Sequence, residues 1–228
     1  MYTKHRWKTE THFPFQYVQY LPKDFDPKKT YPLVFFLHGA GERGEDLERG
    51  SRHGFMKHGR EGREYPFIFV APLCPANRYW GCYTESLLAF LDEICETLPV
   101  DRDRVYLTGL SMGGTGTFML AMADPGRFAA IAPICGSGIC WNGGILKDLP
   151  VLMYHGDCDH IVPIQESVTM LNAINKNGGN AQLKICNGIK HGVWNVAYDG
   201  DELVNWFLSH RRQPRQEKEA LEAVSKET

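Results

Sequence analysis

Residues 104–123 read RVYLTGLSMGGTGTFMLAMA, and this stretch decides the fold. Its first part, Arg104 to Gly109, is typical of a short buried strand, and its last part predicts a helix that begins with small residues. Between the two lies a G-x-S-x-G motif centred on Ser111. A sharp turn from strand to helix holds such a serine above the sheet, next to the N–H groups of the helix N-terminus. The pattern predicts that Ser111 is a nucleophile that attacks a carbonyl group.

Apolar strands and amphipathic helices alternate over most of the chain. The run Tyr31–Leu37 is apolar throughout, as in a central parallel strand that is buried on both faces. A helix is predicted over Thr84–Leu98, where apolar residues recur at helical spacing and Pro99 ends the pattern. We expect one α/β catalytic domain over residues 1–210, with a mainly parallel central sheet, helices on both faces and no separate cap domain. Further strands are predicted at 15–21, 67–71, 105–108, 128–134, 151–154 and 181–186, further helices at 112–123, 165–176 and 201–210, and a long loop with a helical turn at 42–65.

The composition of the 228 residues excludes several classes of partner. A net charge of −2 gives no electrostatic reason to expect nucleic acid or an anionic membrane. No apolar run reaches transmembrane length and the N-terminal residues lack the apolar core of a signal peptide, although a signal removed from the chain would leave the same pattern. The seven cysteines contain no C-x-x-C pair and suit a reducing compartment. We expect a cytoplasmic protein, with a charged tail at 211–228 that is a solvated helix or disorder.

A carboxylate partner for the serine is expected after the strand at 151–154. Asp157 and Asp159 both lie just past its carboxyl end, where the active sites of parallel sheets form. Either aspartate could instead cap the turn, as aspartates often do. We favour Asp159 as the catalytic acid, with Asp157 as the alternative.

A histidine follows in the loop after the strand at 181–186. His191 has a glycine beside it and precedes the last predicted helix, so its ring is free to reach the serine. The chain order Ser111, Asp159, His191 differs from the two common protease orders. We therefore expect these three residues to form a catalytic triad.

An oxyanion hole is expected where the strand Tyr31–Leu37 ends. The residues that follow, His38-Gly-Ala-Gly41, allow the backbone to turn its N–H groups toward the serine. The N–H groups of Ala40 and Met112 are the expected donors, with Gly41 as the alternative to Ala40. The other interpretation is a simple turn that ends the strand.

Taken together, these motifs resemble those of compact α/β-hydrolase esterases, in the phospholipase/carboxylesterase and feruloyl-esterase-like group that is related to predicted peptidases. The resemblance runs from about residue 13 to residue 210 and implies the α/β-hydrolase fold. It also implies a serine hydrolase with the triad Ser111, Asp159 and His191 and no metal or organic cofactor. It does not specify the substrate, because this fold hosts many acyl chemistries. The matching segments are residues 31–44, 109–114, 155–159 with 162–163, and 191 with 194.

Aromatic residues beyond the strand ends suggest the kind of substrate. Trp80, Trp141 and Trp194 could line one cleft and favour a small-molecule ester with an apolar or aromatic group, or they could pack in the core or at the rim. Glu42 and Arg43 could contact a polar part of the substrate, or each other. A thioesterase or a prolyl-oligopeptidase-like peptidase would use the same triad. A non-catalytic binding protein on this scaffold would be expected to lose the serine, the histidine or the glycines, and a homo-oligomer is left open.

Overall fold

The computed structural model of the protein describes residues 1–212. Its strands are β1 (Tyr2–Arg6), β2 (Gln16–Tyr20), β3 (Tyr31–Leu37), β4 (Ile68–Pro72), β5 (Val100–Leu110), β6 (Ala130–Ile134), β7 (Val151–Gly156) and β8 (Ala181–Cys186). Its helices are α1 (Leu47–Gly50), α2 (Gly54–Arg60), α3 (Thr84–Thr97), α4 (Met112–Ala123), α5 (Gln165–Lys176), α6 (Trp194–Ala197) and α7 (Glu202–Leu208). Short 3₁₀ segments lie at Ala40–Glu42, Trp80–Tyr83, Pro125–Arg127 and Cys140–Leu146.

The eight strands form one sheet in the order β1-β2-β4-β3-β5-β6-β7-β8. β1 pairs antiparallel with β2, and β2 pairs antiparallel with β4. The six strands from β4 to β8 in this order are parallel to one another. Their carboxyl ends therefore meet at one edge of the sheet, which is where functional residues collect in such folds. The prediction of a mainly parallel sheet is confirmed.

Alternation along β3 explains why helices are needed on both faces. Leu33, Phe35 and Leu37 pack into the core on one face, where α3, α4 and α5 cover the sheet. Val34 and Phe36 point into the core on the other face, together with residues of α2, α6 and α7. Because successive side chains of a strand point to opposite faces, a strand that is apolar throughout requires both covers.

Several elements differ from the expectations. The edge strand β1 and the short helix α6 were not predicted, and the strand expected at 105–108 runs from Val100 to Leu110. The expected loop at 42–65 contains the two helices α1 and α2. Phe55 and Met56 of α2 are buried, so this part of the segment is anchored in the core. Of the predicted tail at 211–228, all but the first two residues lie outside the described residues. Over residues 1–212, no helix is long and apolar enough to cross a membrane.

Candidate active site

Ser111 occupies a tight turn between β5 and α4. Its φ of 55° and ψ of −118° lie in a region that residues other than glycine rarely adopt. Gly113 permits the turn, because a Cβ there would lie 1.8 Å from the carbonyl oxygen of Leu37. The start of α4 therefore comes into contact with the end of β3, just before Ala40. The sequence motif produces this contact directly, since a side chain at residue 113 would push the two segments apart.

The structure brings Ser111, His191 and Asp159 into one hydrogen-bonded chain. His191 Nε2 lies 2.8 Å from Ser111 Oγ, and His191 Nδ1 lies 2.7 Å from Asp159 Oδ2. A carboxylate can only accept, so Nδ1 carries the proton and Nε2 accepts the hydrogen bond from the serine hydroxyl. In this tautomer the imidazole is ready to take the serine proton.

The two candidate aspartates have different surroundings. Asp159 is 6% exposed, and its Oδ1 accepts hydrogen bonds from the N–H groups of Ile161 at 2.8 Å and Val162 at 3.0 Å. Burial disfavours its ionised form, but the hydrogen bonds from His191 and from these two N–H groups outweigh burial and lower the pKa of the Asp159 carboxyl. Asp157 instead accepts a bond from the backbone of the β8–α6 loop, at 2.7 Å. Only Asp159 faces His191.

A second histidine, His155, supports the acid from beneath. It is fully buried, its Nε2–H donates to the carbonyl of Val162 at 2.8 Å, and its Nδ1 accepts from the hydroxyl of Ser167 at 2.7 Å. The same Nε2 lies 3.4 Å from Asp159 Oδ2. His155 thus holds the loop that presents the acid. Sequence reasoning missed this role, although a histidine at a strand end four residues before the acid was a usable signal.

Cys135, at the end of β6, lies close to the triad. It is buried at a φ of 41°, and its thiol lies 3.6 Å from the carbonyl oxygen of His191. Within residues 1–212, Cys135, Asp159 and His191 form a group whose potential ligand atoms all lie within 4.8 Å of one another, as a metal ion would require. Burial raises the pKa of the Cys135 thiol to about 12, and the other two side chains are hydrogen-bonded to each other. At neutral pH the thiol is therefore protonated, while His191 and Asp159 are engaged with each other.

The expected oxyanion donors lie on either side of the contact between β3 and α4. In the described part of the chain, no hydrogen-bond acceptor is found for the N–H groups of Ala40, Gly41 or Met112. Arg43 does not reach into the site as a free charge, because its Nε donates to the carbonyl of Ala40 at 2.9 Å. Glu42 faces His53, with 3.7 Å between their nearest side-chain atoms. Arg43 therefore serves the loop itself.

The three predicted substrate-binding tryptophans lie in different environments. Trp80 is 1% exposed and packs in the apolar core rather than lining a cleft, and its Nε1–H donates to the carbonyl of His38 at 2.9 Å. Trp141 is 83% exposed, beyond the end of β6. Trp194 is partly buried and contacts the rings of His191 and His53, at centroid distances of 5.3 and 5.5 Å. Its Nε1 is buried and has no hydrogen-bond partner among the described residues. Only Trp194 touches the triad.

Comparison with known proteins identifies several relatives. A family model described as phospholipase/carboxylesterase matches residues 83–199, which include Ser111, Asp159 and His191. Feruloyl esterase C of Emericella nidulans is 30% identical over 204 residues, covering 81% of this chain and 75% of that protein. A probable feruloyl esterase C of Aspergillus terreus is 31% identical over 169 residues, and the match covers 72% of this chain and 62% of that protein.

A solved structure agrees with these sequence relatives. The crystal structure of a thermostable esterase matches 92% of this chain with a TM-score of 0.83 at 30% identity, and the chain spans 63% of that protein. The chain is thus shorter than all three relatives, spanning between 62% and 75% of their lengths.

Proposed function

The chain belongs to the phospholipase/carboxylesterase family of ester hydrolases, and on that premise we propose that it cleaves small or aromatic carboxylic esters through an acyl-enzyme on Ser111. One observation carries the proposal: the hydrogen-bonded chain from Ser111 Oγ through His191 to Asp159, with contacts of 2.8 and 2.7 Å. This geometry is the one that activates a serine hydroxyl.

In the first half of the reaction, the serine oxygen attacks the ester carbonyl carbon while its proton moves to His191 Nε2. Asp159 stabilises the charged imidazole and keeps its Nδ1–H oriented. The carbonyl oxygen becomes an oxyanion that accepts hydrogen bonds from the N–H groups of Ala40 and Met112. The carbon–oxygen bond to the alcohol then breaks, and the alcohol leaves with the proton from Nε2.

In the second half, a water molecule takes the place of the alcohol. It gives its proton to His191 Nε2 as its oxygen attacks the acyl carbon on Ser111. The same donors stabilise the second oxyanion. The bond to the serine oxygen then breaks, and the serine recovers its proton from the histidine. The carboxylic acid is released and the free enzyme is regenerated.

We infer the substrate class from the relatives and from two aromatic side chains. The relatives with the names given above are feruloyl esterases, and ferulate is an aromatic acid. Trp194 supplies an aromatic wall next to His191, and Trp141 adds an exposed ring beyond the end of β6. Aromatic walls favour a flat apolar acyl group over a charged one. We expect the protein to prefer aromatic acyl esters to short aliphatic ones.

The compartment and the partners are part of the same proposal. All seven cysteines are free in the structure, which suits a reducing compartment and supports a cytoplasmic location. A net charge of −2 supports a small-molecule substrate over nucleic acid or an anionic membrane.

Ester hydrolysis by matched proteins tests the proposal. We expect wild type to hydrolyse both methyl ferulate and p-nitrophenyl esters. The value of kcat/KM should be higher for esters of an aromatic acid than for esters of a short aliphatic acid. Ser111→Ala should lower kcat by at least about 10³-fold, since the serine is the covalent nucleophile. Ser209→Ala is the control, because this serine lies past the end of α7 and its hydroxyl bonds only to its neighbours, the carbonyl of Trp206 and the ring of His210.

A fluorophosphonate probe completes the test, since it labels activated serines whatever the natural substrate. Labelling of Ser111 without hydrolysis of any ester would contradict the ester assignment and point to thioester or peptide substrates. The absence of both labelling and hydrolysis in folded protein would indicate a binding protein.

A further inference from the structure

Side chains hold every backbone carbonyl of residues 38–41, the loop after β3 that contains the expected oxyanion donors. Four consecutive carbonyl groups, from residue 38 to residue 41, each accept a hydrogen bond from a different side chain. The bonds are Trp80 Nε1 to His38 O at 2.9 Å, His38 Nδ1 to Gly39 O at 2.7 Å, Arg43 Nε to Ala40 O at 2.9 Å and Arg49 Nη2 to Gly41 O at 2.7 Å.

Each of these bonds also sets the direction of one N–H group. A peptide unit is rigid and planar, and its carbonyl and the N–H of the next residue point in opposite directions. The side chain that holds the carbonyl of Gly39 therefore orients the N–H of Ala40. Likewise, the side chain that holds the carbonyl of Ala40 orients the N–H of Gly41. The two candidate oxyanion donors are thus controlled by different residues, His38 and Arg43.

His38 is the more rigid of the two supports. It is 1% exposed, and its ring packs against Trp80 at a centroid distance of 4.9 Å. Its Nε2 accepts a hydrogen bond from the backbone N–H of Cys74 at 3.0 Å, so the ring proton must be on Nδ1, facing the carbonyl of Gly39. Burial lowers the pKa of His38 to about 4, which keeps this neutral tautomer at ordinary pH. Arg43, in contrast, makes its bonds at the exposed surface.

We propose that His38 is a positioning residue that fixes the N–H of Ala40, rather than that of Gly41, as the oxyanion donor contributed by the β3 loop. The inference rests on the ester hydrolysis proposed above. The hydrogen bond to the carbonyl of Gly39 also polarises the peptide, which strengthens its N–H as a donor. His38 touches no reacting atom and acts only through the peptide it holds.

Two substitutions separate the two bonds of the ring. In His38→Asn, the side-chain amide nitrogen occupies the place of Nδ1, so the bond to Gly39 is kept and the bond from Cys74 is lost. In His38→Gln, the amide oxygen occupies the place of Nε2, so the bond from Cys74 is kept and the bond to Gly39 is lost. Both variants lose the ring that packs on Trp80, which makes each the control for the other.

The proposal predicts a split between these variants in kcat. His38→Gln should lower kcat for methyl ferulate by about 10–100-fold, somewhat less than the loss of an oxyanion donor, with KM within about twofold of wild type. His38→Asn should keep kcat within about threefold. Phenylboronic acid, which forms a tetrahedral adduct on the serine, should bind His38→Gln more weakly by a similar factor, since it requires the same donors. Arg43→Gln should leave kcat within about threefold of wild type.

Several outcomes would overturn the proposal. Equal losses of kcat in the two His38 variants, measured on protein with native thermal unfolding, would reduce His38 to a packing residue. Full kcat in His38→Gln would mean that the bond to Gly39 does not matter. If the His38 variants fail to fold, Arg43→Gln still decides, because a 100-fold loss there would assign the donor to Gly41. A wild type that hydrolyses no ester would instead overturn the proposed function itself.

Discussion

The indole ring of Trp194 stands edge-on to the imidazole of His191, with ring centroids 5.3 Å apart and planes at 89°. With the hydrogen bond from Nδ1 to Asp159, this contact leaves the imidazole few orientations other than the one that reaches Ser111. Aromatic pairs in this geometry contribute about 0.5–1.5 kcal/mol beyond the burial of their surface. The contact is therefore strong enough to affect catalysis.

Replacement of Trp194 tests this contact. Trp194→Ala should lower kcat for methyl ferulate by about fivefold, because about 1 kcal/mol of ring contact is lost and the imidazole can turn away. Trp194→Phe should keep kcat within about twofold, since an aromatic edge remains, and should not lower stability, since the unpartnered indole N–H is removed. Steady-state kinetics and urea unfolding measure both effects. Equal kcat values for the two variants would show that the ring contact is without catalytic effect.

The two aspartates after β7 provide a matched pair. Asp159→Asn should lower kcat by about 10⁴-fold, because an amide at this position favours the wrong tautomer of His191. Asp157→Asn should leave kcat near that of wild type, since the Asp157 carboxylate accepts from the N–H of Gly188 and bonds to the side chain of Cys158, and the carboxylate bonded to His191 is that of Asp159. Both changes replace one oxygen by an NH₂ group of similar size. A large loss in the Asp157 variant with an active Asp159 variant would reverse the assignment of the acid.

The backbone conformation of Ser111 predicts an unequal effect of two inactive variants. At a φ of 55° and a ψ of −118°, a residue with a Cβ is strained by about 1–3 kcal/mol, whereas glycine adopts this region readily. Ser111→Gly should therefore unfold at a higher urea concentration than Ser111→Ala. We expect its free energy of unfolding to be higher by about 1 kcal/mol, after allowing for the greater freedom of glycine in the unfolded chain. The opposite order would mean that the turn is not strained.

The buried His38 predicts how stability depends on pH. Its pKa falls from 6.5 to about 4 on burial, so between these values the unfolded chain binds a proton that the folded chain does not. The contribution of the neutral His38 to the free energy of unfolding is complete above pH 6.5. It is lost as the pH falls to about 4, and the total loss is about 3 kcal/mol. Urea unfolding at pH 7 and pH 4.5 should show a larger drop in wild type than in His38→Gln. Equal drops would mean that His38 titrates normally.

Most of the fold could be predicted because its patterns are local. β3, β8, α4 and α5 lie at the predicted residues, since an apolar run or a helical spacing of apolar residues does not depend on distant contacts. β1 was missed because its side chains are polar and mostly exposed. It pairs with β2 through backbone hydrogen bonds, and the pattern of side chains does not predict this pairing.

The residues of the candidate site also differ in how far the sequence alone could identify them. Ser111, Asp159 and His191 carry motifs of residue type and spacing, so the sequence was enough to propose them. The burial of Trp80 and the support from His155 depend on which backbone carbonyl each side chain meets, and that is determined by tertiary contacts. A tryptophan that follows a strand fits a core and a cleft equally well, so only the structure could separate the two positions.

The polar edge strand β1 has a consequence for how the protein behaves in concentrated solution. Lys4, His5 and Arg6 are exposed along it, at the edge where another chain could add a strand. Such charges disfavour that addition. The neighbouring strand β2, in which Val18 and Tyr20 are buried, would be more prone to pair with another chain if it formed the edge. Residues 2–6 form one of the two edges of the sheet, the other being β8, and we expect their charges to oppose the addition of a strand from a neighbouring molecule at this edge.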